Sequence, residues 1–342
     1  MGAHRGGGSG QGMVVGAKRD RMGGTEHAGL EPATPPPGQL SETEFGALYE
    51  RVRSQVPWGP GDRRGALNYL TPATVLAAMA EVRLGRTVSL AAPVETWITL
   101  DNPQPCQHEM TQTAGTPPAP GLSFALDRVA MNIHGNADSH IDALCHVIFD
   151  GSLYQGVPAR TLTEAGAEEL SISVARDGIV GRGVLLDVPR ARGVPWLEPG
   201  EHVTVDDLLA AEQAEQVRAG EGDIALVHVG HRQRRTGRGP WDAAGARAGL
   251  HPTVVPFLAE RRIGALGSDG NNDTAPSAAA GVAFPVHVLG IHALGLHLMD
   301  YLDFTELTEA CAAARRWSFL CVIAPLRLPT GTGSPVNPIA IL

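Results

Sequence analysis

The chain has 342 residues, of which 43% are hydrophobic and 18% charged, a composition typical of a globular protein with a substantial core. Its formal net charge of −9 argues against a broad phosphate-binding surface, so nucleic acid is not an expected partner. No apolar run approaches the roughly 18–20 residues that a membrane helix needs, so no membrane span is expected either.

The chain begins with Gly-rich and Pro-rich segments over residues 1–40 that contain little apolar surface. Such a composition cannot offset its ordering entropy, so a disordered tail is predicted there. The folded part then begins with a helix whose N-cap, Ser41, forms a capping box with Glu44. A second helix is predicted from its N-cap Thr71 to Gly85.

Strands and helices then alternate without a regular repeat. Apolar and β-branched runs predict strands in TVSLAAPVE, GLSFALDRVAMNIHG, RGVLLDVP and DIALVHVGH. Helices are predicted in VTVDDLLAAEQAEQV and at the starts of HPTVVPFLAERRIGALGSDG and PVHVLGIHALGLHLMDYLDF, where a strand follows each. Gly295 would end the last of these helices. No polar linker interrupts this pattern, which predicts one mixed α/β domain over residues 41–342.

The four cysteines are Cys106, Cys145, Cys311 and Cys321, and their spacing matches no common zinc framework. Four are also too few for a disulfide scaffold in a chain of this length. We therefore expect buried free thiols and a reducing, cytoplasmic location. Cys145 precedes His146, but adjacent residues on a strand point to opposite faces, which argues against a Cys–His nucleophile.

The segment NIHGNADSHIDALCHVIFDG is unusually dense in groups that bind metals or move protons. Six of them fall at even positions: His134, Asn136, Asp138, His140, Asp142 and His146. On an extended strand over residues 128–142 the even-numbered side chains share one face, so His140 and Asp142 would point into the same space. A helical turn at DALCH would keep His146 on that face, four residues beyond Asp142.

An imidazole nitrogen beside a carboxylate oxygen suits Zn²⁺ or Mn²⁺ and does not choose between them. A hydrogen-bonded core pair is the alternative, but three such groups beside an apolar flank would be costly to bury unpaired. On a straight strand His134 would lie roughly 20 Å from His140, so we expect it to be out of reach of a shared ion.

SHIDALCH resembles the core motif of the metal-dependent cyclase family that includes bacterial kynurenine formamidase and isatin hydrolase, whose usual form is H-x-G-T-H-x-D-x-P-x-H. PWGPGDRRGALNYLTP, HVIFDGSLYQG, GALGSDGNNDTAPS and GTGSPVNPIAI are similar to blocks of a longer-chain branch of that family. The resemblance covers about residues 55–342. It implies a fold of the swivelling β/β/α type, a divalent metal and a hydrolytic activity.

The resemblance also implies roles for individual residues. The second His and the Asp of the motif bind metal, and its last His is an acid or base; members with two zinc ions add a His and a Glu nearer the C-terminus. Carried to this chain, the metal ligands are His140, Asp142 and His287, and the catalytic groups are His146 and Asp300.

The chain departs from the motif at several positions. The first His of the motif falls on Asn136, its Gly-Thr on Asp138 and Ser139, and its Pro on Leu144, while Asp300 is shorter than the usual Glu. Because an amide is a weaker donor than an imidazole, we predict one divalent ion per chain, Zn²⁺ or Mn²⁺.

Other polar residues are weaker candidates. Asp269 and Asp273 follow a strand in an α/β chain, where ligand-binding loops gather, so they are candidates for contacts with the substrate or with the metal ligands. Four further histidines are expected to be ordinary strand-end or packed residues: His228, His231, His292 and His297.

The leading hypothesis is a metal-dependent hydrolase of a small amide, cyclic amide or ester, in which His146 takes a proton from water. A polyketide-type cyclase or dehydratase, in which the metal stabilises an enolate, is the main alternative, and a non-catalytic binding module is a third. A wet site favours hydrolysis, whereas a dry, elongated apolar pocket favours cyclisation. The expected partners are a small-molecule substrate and further copies of the chain in a homodimer or homotetramer.

Overall fold

The computed structural model describes residues 38–115 and 121–342. The predicted disorder of residues 1–37 lies outside the described residues. Just before the predicted start of the domain, Leu40 exchanges two backbone hydrogen bonds of 2.8 Å with the loop at residues 278–280. Leu40, which falls in the segment predicted to be a disordered tail, is therefore paired with a loop far away in sequence.

Eight α-helices lie in the described residues: α1 (Glu42–Ser54), α2 (Pro72–Met79), α3 (Val188–Arg192), α4 (Val205–Glu215), α5 (His231–Arg238), α6 (Val254–Glu260), α7 (Pro285–His287) and α8 (Thr305–Ala314). A π-helical segment, Val288–Leu294, continues α7 and ends at Gly295, as predicted. None of these helices is both long and apolar enough to cross a membrane.

The first two helices begin as predicted, but the second is shorter. Ser41 and Glu44 form the capping box of α1, and Thr71 caps α2. The helix α2 ends at Met79 rather than near Gly85. A tertiary contact replaces the end of the predicted helix, because the N–H groups of Leu84 and Gly85 donate to the carbonyl of Leu342.

Fifteen strands are present in the described residues: β1 (Thr87–Ser89), β2 (Gln107–Gln112), β3 (Leu126–Ala130), β4 (His140–Asp142), β5 (Leu162–Thr163), β6 (Gly166–Ala167), β7 (Ile179–Asp187), β8 (His202–Val203), β9 (Ile224–His228), β10 (Gly249–Leu250), β11 (Ala265–Ser268), β12 (His297–Asp300), β13 (Ser318–Ile323), β14 (Gly333–Pro335) and β15 (Ile339–Ile341). Nine of them form one sheet in the order β1-β15-β13-β7-β9-β11-β12-β4-β14.

The centre of this sheet is parallel and its flanks are antiparallel. Strands β7, β9, β11 and β12 run in the same direction, and every residue of β9, β11 and β12 is buried. Such burial is typical of parallel strands covered on both faces, which is why these segments read as apolar runs. The structure confirms the predicted single mixed α/β domain.

This topology gathers polar side chains at one edge of the sheet. The parallel strands end at Asp187, His228, Ser268 and Asp300, so these residues lie at neighbouring carboxyl ends. The short strand β4 runs antiparallel to β12 and pairs His140 directly with Asp300. Crevices outside the carboxyl ends of such strands are the usual ligand sites of α/β sheets.

The predicted single strand over residues 128–142 is wrong. Strand β3 ends at Ala130, and only three residues, His140–Asp142, belong to the main sheet. Between them the chain turns, because Asp138 accepts the N–H of Glu95 and Ser139 donates its hydroxyl to the carbonyl of Tyr301.

The helix considered for DALCH is also absent. Ala143 donates its N–H to Thr332 at 3.0 Å, and a single turn then closes from His146 to Ala143 at 2.9 Å. Pairing with the C-terminal part of the chain replaces the local helix.

Candidate metal centre

Polar side chains from distant parts of the chain meet beside β4. Strand β4 contributes His140 and Asp142, α7 contributes His287, and the end of β12 contributes Asp300. The Nε2 atom of His287 lies 3.4 Å from Asp142 Oδ2 and 3.4 Å from Asp300 Oδ2. The Nε2 atom of His140 lies 3.8 Å from Asp142 Oδ1.

These residues, with His134, form two sets of three that could hold a metal ion. The imidazole set consists of His134, His140 and Asp142, and the carboxylate set of Asp142, His287 and Asp300. Within each set, one ligand atom from each residue lies within 4.8 Å of the others. The carboxylate of Asp142 belongs to both sets, and its side chain is fully buried.

The expectation that His134 lies out of reach is wrong. Its Nδ1 lies 2.8 Å from Asp142 Oδ1, and its ring centroid is 5.6 Å from that of His140. The turn between β3 and β4 folds His134 back onto the site, which a straight strand could not do. Asn136 instead accepts a hydrogen bond from the hydroxyl of Tyr301 at 3.3 Å. An imidazole thus lies beside Asp142 although Asn136 replaces the first His of the motif.

In two of the histidines, His140 and His287, Nε2 faces the site and a contact of Nδ1 orients the ring. His140 Nδ1 donates to the carbonyl of Asp138 at 2.8 Å, which leaves the lone pair of Nε2 directed at the site. His287 Nδ1 lies 2.6 Å from Asp273 Oδ2, a carboxylate–histidine pair of the kind that orients metal-bound histidines. Asp273, a candidate from its position after a strand, thus contacts a predicted metal ligand. Asp269 accepts two backbone N–H groups and touches neither set.

Asp300 is held by two asparagines that sequence reasoning did not single out. Asn272 donates its backbone N–H at 3.1 Å and its side-chain amide at 2.5 Å to Asp300 Oδ1, and the amide of Asn271 donates to Oδ2. Both asparagines lie in the segment GALGSDGNNDTAPS, whose resemblance to the family was the available signal.

The charges around Asp142 are those of a cation site. Burial alone would raise the pKa of Asp142, but His146, His134, His287 and His140 outweigh it and hold the pKa well below its usual range. Burial alone would lower the pKa of His287, but Asp300, Asp142 and Asp273 hold it well above its usual range. A buried carboxylate and a buried imidazolium thus stabilise each other in the metal-free protein.

One oxygen of Asp142, Oδ2, is buried and accepts no hydrogen bond of good geometry; its ionic neighbour His287 Nε2 lies 3.4 Å away. Buried carboxylate oxygens normally have a hydrogen-bond or ionic partner, and a metal ion can be that partner in a site lined by carboxylates and imidazoles. The mixture of imidazole and carboxylate donors suits Zn²⁺ or Mn²⁺. The residues present therefore fit a divalent metal.

His146 lies at the solvent side of the site. Its ring stacks on that of His134 at 3.8 Å and 12°, and its Nε2 is 4.0 Å from Asp142 Oδ1. Its side chain is 28% exposed, whereas those of His140, His287 and Asp142 are almost completely buried. Burial lowers the pKa of His146 to about 4, so its ring is neutral at neutral pH and carries a free lone pair.

A cavity of about 410 Å³ opens beside His134. Its walls are Asn102, Pro103, Gln104 and residues 132–136, which contribute four carboxamide side chains and no Lys or Arg. The cavity therefore leads from solvent to the more exposed side of the imidazole set.

The remaining candidates lie outside both sets. His228 pairs with Asp187 at 2.8 Å, and His292 contacts the hydroxyl of Tyr49 at 2.9 Å. All four cysteines are free and buried, as predicted, and burial raises the pKa of Cys145 to about 12, which does not suit a nucleophile.

Comparison with known proteins finds the following similarities. The sequence model of a family described as "Putative cyclase" matches residues 82–272. A crystal structure of a novel cyclase is 30% identical over 85% of this chain and 99% of its own length, with a TM-score of 0.75.

More distant similarities concern the fold alone. Isatin hydrolase A from Ralstonia solanacearum is 22% identical over 79% of this chain and 97% of its own, with a TM-score of 0.54. The same enzyme from Labrenzia aggregata is 21% identical over 80% and 98%, with a TM-score of 0.53. None of the curated proteins matches this chain.

Proposed function

Because this chain belongs to the cyclase family, we propose that it is a metal-dependent hydrolase of a small, neutral amide, cyclic amide or ester. The observation that carries the proposal is the buried Asp142 carboxylate, which is shared by two sets of donors and has one oxygen that accepts no hydrogen bond, beside a neutral and partly exposed His146. A site that concentrates cation ligands next to an uncharged base is suited to hydrolysis.

The ion would be held by the donors of the two sets: His134, His140, Asp142, His287 and Asp300. A divalent ion supplies a Lewis acid that polarises a carbonyl and acidifies water. Asp273 and Asp138 fix the two imidazoles whose Nε2 atoms face the site. Asp300, which the sequence predicts as a catalytic group, would contribute to catalysis by helping to hold the ion as a member of the carboxylate set.

His146 would move the protons of the reaction. Its ring is neutral at neutral pH, so it can accept a proton from the attacking water and return it to the leaving nitrogen or oxygen. The stack on His134 restrains the plane of this ring, and its partial exposure gives substrate access to it.

The cavity beside His134 supports a neutral substrate. Its carboxamides, on Asn102, Gln104, Asn132 and Asn136, can donate to and accept from carbonyl, amide and hydroxyl groups. It has no Lys or Arg to pair with a carboxylate, so an anionic substrate would lose hydration without compensation there. A polar cavity open to water also favours hydrolysis over the enolate chemistry of a cyclase or dehydratase.

Matched pairs of compounds test both parts of the proposal. Formanilide and isatin are neutral, whereas 2-formamidobenzoate and isatin-5-sulfonate add one negative charge to each skeleton. Metal-loaded enzyme should hydrolyse a neutral member faster than its anionic counterpart, and chelator-treated enzyme should hydrolyse neither. Preference for the anionic members would reject the neutral-substrate assignment.

Measurements of metal binding and of hydrolysis distinguish a protein that binds metal without catalysing hydrolysis from one that binds no metal. Tight metal binding without hydrolysis across formyl-amines, cyclic imides and lactones would instead support the non-catalytic binding module. Absence of metal binding in calorimetric titrations with Zn²⁺ and Mn²⁺ would reject the metal centre itself. Elemental analysis counts the ions, for which the sequence predicts one per chain and the two sets supply enough donors for a second.

A further inference from the structure

A buried arginine, Arg232, lies between the end of β12 and the turn between β3 and β4. It is the second residue of α5, and only 8% of it is exposed. Its guanidinium donates to the carbonyl oxygens of Ala137 at 2.6 Å, Tyr301 at 2.6 Å and Leu302 at 3.3 Å. The first of these residues belongs to the turn and the other two follow β12. One side chain therefore joins two segments that lie far apart in sequence.

This guanidinium forms no ion pair with a carboxylate of the described residues. Its hydrogen bonds within them go to neutral backbone carbonyls, and the charge of Asp303 acts on it without a hydrogen bond. Burial lowers the pKa of Arg232, yet a guanidinium remains charged in proteins. A buried charge is costly unless it is paired. Stability alone gives no reason for a cation at this position, whereas holding two segments in one arrangement does.

The turn that Arg232 contacts carries His134 back to the metal centre. The Nδ1 atom of His134 lies 2.8 Å from Asp142 Oδ1, and Ala137 is three residues further along the turn. The side chain of His134 is 25% exposed, whereas those of His140 and Asp142 are almost completely buried. His134 is thus the member of the imidazole set that reaches the site from the surface, and its position depends on the contacts that hold the turn.

The residue at the other end of this contact, Tyr301, has a strained backbone. It follows Asp300 and has a φ of 56°, in the left-handed region that is costly for a residue with a side chain. Such a conformation persists only where the surrounding contacts hold it. Its N–H donates to the carbonyl of Gly270 at 2.9 Å, and its carbonyl accepts from Arg232 and from the hydroxyl of Ser139, each at 2.6 Å. The same contacts therefore fix the residue after Asp300 and the turn between β3 and β4.

We propose that Arg232 is a positioning residue of the metal centre, whose guanidinium ties the turn between β3 and β4 to the end of β12 and thereby holds His134 against Asp142. The proposal rests on the metal centre of the proposed function and not on the hydrolytic reaction, because Arg232 donates to no member of the two donor sets. The planar fork of a guanidinium donates in fixed directions, which allows one side chain to bind the carbonyls of both segments. The ammonium of lysine keeps the charge but lacks this fork.

The test measures whether Arg232 acts through His134. The dissociation constant for Zn²⁺ is determined in the full chain by competition with a chelating dye, for wild type, Arg232→Lys, His134→Ala and the variant that combines both changes. Arg232→Lys should weaken binding by about 10-fold, as expected for a residue that orients a metal ligand. In the absence of the His134 ring the same substitution should change the constant by less than about 2-fold, as independent sites do.

Arg247→Lys is the matched control. Arg247 is also buried and donates to three backbone carbonyls outside the turn, those of Asp273 at 2.9 Å, Ala243 at 3.0 Å and Ala244 at 3.1 Å. Both lysine variants lose the fork of a buried guanidinium, so both should lower the melting temperature. Any effect of Arg247→Lys on the dissociation constant should be the same with and without the His134 ring. A dependence on His134 equal to that of Arg232→Lys would indicate general loosening and reject the proposal.

Equal effects of Arg232→Lys on the dissociation constant with and without the His134 ring would overturn the proposal, because Arg232 would then act on the fold in general. Arg232→Met is the second variant, since an apolar side chain of similar volume often replaces a buried charge without loss of the fold, and it should show the same dependence on His134. If neither variant folded while Arg247→Lys did, Arg232 would be needed for folding and the positioning role would be rejected. Absence of Zn²⁺ binding by the wild type would reject the metal centre and with it the proposed function.

Discussion

Substituting Asp273 by Asn should weaken metal binding although Asp273 belongs to neither set of metal donors. Its Oδ1 accepts the backbone N–H of Val286 at 2.6 Å, and its Oδ2 accepts the backbone N–H of His287 at 3.0 Å and faces His287 Nδ1 at 2.6 Å. Asparagine keeps one of these acceptor oxygens and replaces the other by an NH₂ group. If the side-chain oxygen of the asparagine accepts the N–H of Val286, its NH₂ group faces His287 Nδ1.

This exchange acts on the ligand atom through the imidazole tautomer. When His287 gives up a proton to bind an ion, a donor beside Nδ1 favours the tautomer in which Nδ1 accepts and Nε2 keeps the proton, so Nε2 lacks the lone pair that a metal needs. Removing such a carboxylate partner typically lowers metal affinity by about 10–100-fold, or about 1.4–2.8 kcal/mol. We expect Asp273→Asn to fall in this range.

Asp269→Asn is the matched control. Asp269 lies four residues earlier, is equally buried, and accepts the backbone N–H groups of Val229 and His231, each at 2.7 Å. Both variants lose a charged acceptor of backbone amides, so both should lower the melting temperature of the metal-free protein. Only Asp273→Asn should also change the dissociation constant for Zn²⁺ or Mn²⁺, measured by competition with a chelating dye.

Equal metal affinity in Asp273→Asn and wild type would refute this reasoning, because it would mean that His287 contributes no ligand atom. Equal losses of affinity in the two variants would also contradict it, since the effect would then come from general loosening of the loop and not from the tautomer.

Three other changes test separate residues. His146→Ala should reduce turnover by roughly 10²–10⁴-fold with metal content close to wild type by elemental analysis, because His146 is in neither set; complete metal loss would make it a ligand. His134→Ala should lower the affinity for the metal, because its ring belongs to the imidazole set; an unchanged dissociation constant in calorimetric titration would show that His134 is not a ligand. Burial raises the pKa of Glu215 to about 8 from 4.5, so the folded state retains a proton that the unfolded chain releases. Between these pH values stability should fall with rising pH, by at most about 1.4 kcal/mol per unit, and Glu215→Gln should flatten that slope in urea unfolding; an unchanged slope would contradict the assignment.

Local signals in the sequence predicted the elements well. The capping box of Ser41 and Glu44, the Thr71 cap and the apolar run of β9 are read over a few neighbouring residues, and the structure has them where predicted. The α/β alternation likewise predicted a single mixed domain, because the 3.6- and 2-residue periods are properties of each segment alone.

The candidate site was only partly visible in this way. The resemblance placed His140, Asp142, His287 and Asp300 together, and in the structure these side chains do converge. It could not show that His134 reaches Asp142, because that depends on the turn between β3 and β4. That turn is held by hydrogen bonds to Glu95 and Tyr301, which lie far from it in sequence.

The sequence by itself thus determined which residues are chemically able to hold a cation and where the helix caps at Ser41 and Thr71 and the buried strand β9 lie. The tertiary structure decided which donors share a carboxylate. Asp142 and His287 are separated by 145 positions, yet their ligand atoms lie 3.4 Å apart because β4 pairs with β12 and α7 precedes that strand. Contacts of this kind depend on the closure of long loops and on packing against other elements, and neither leaves a periodic trace in the local sequence.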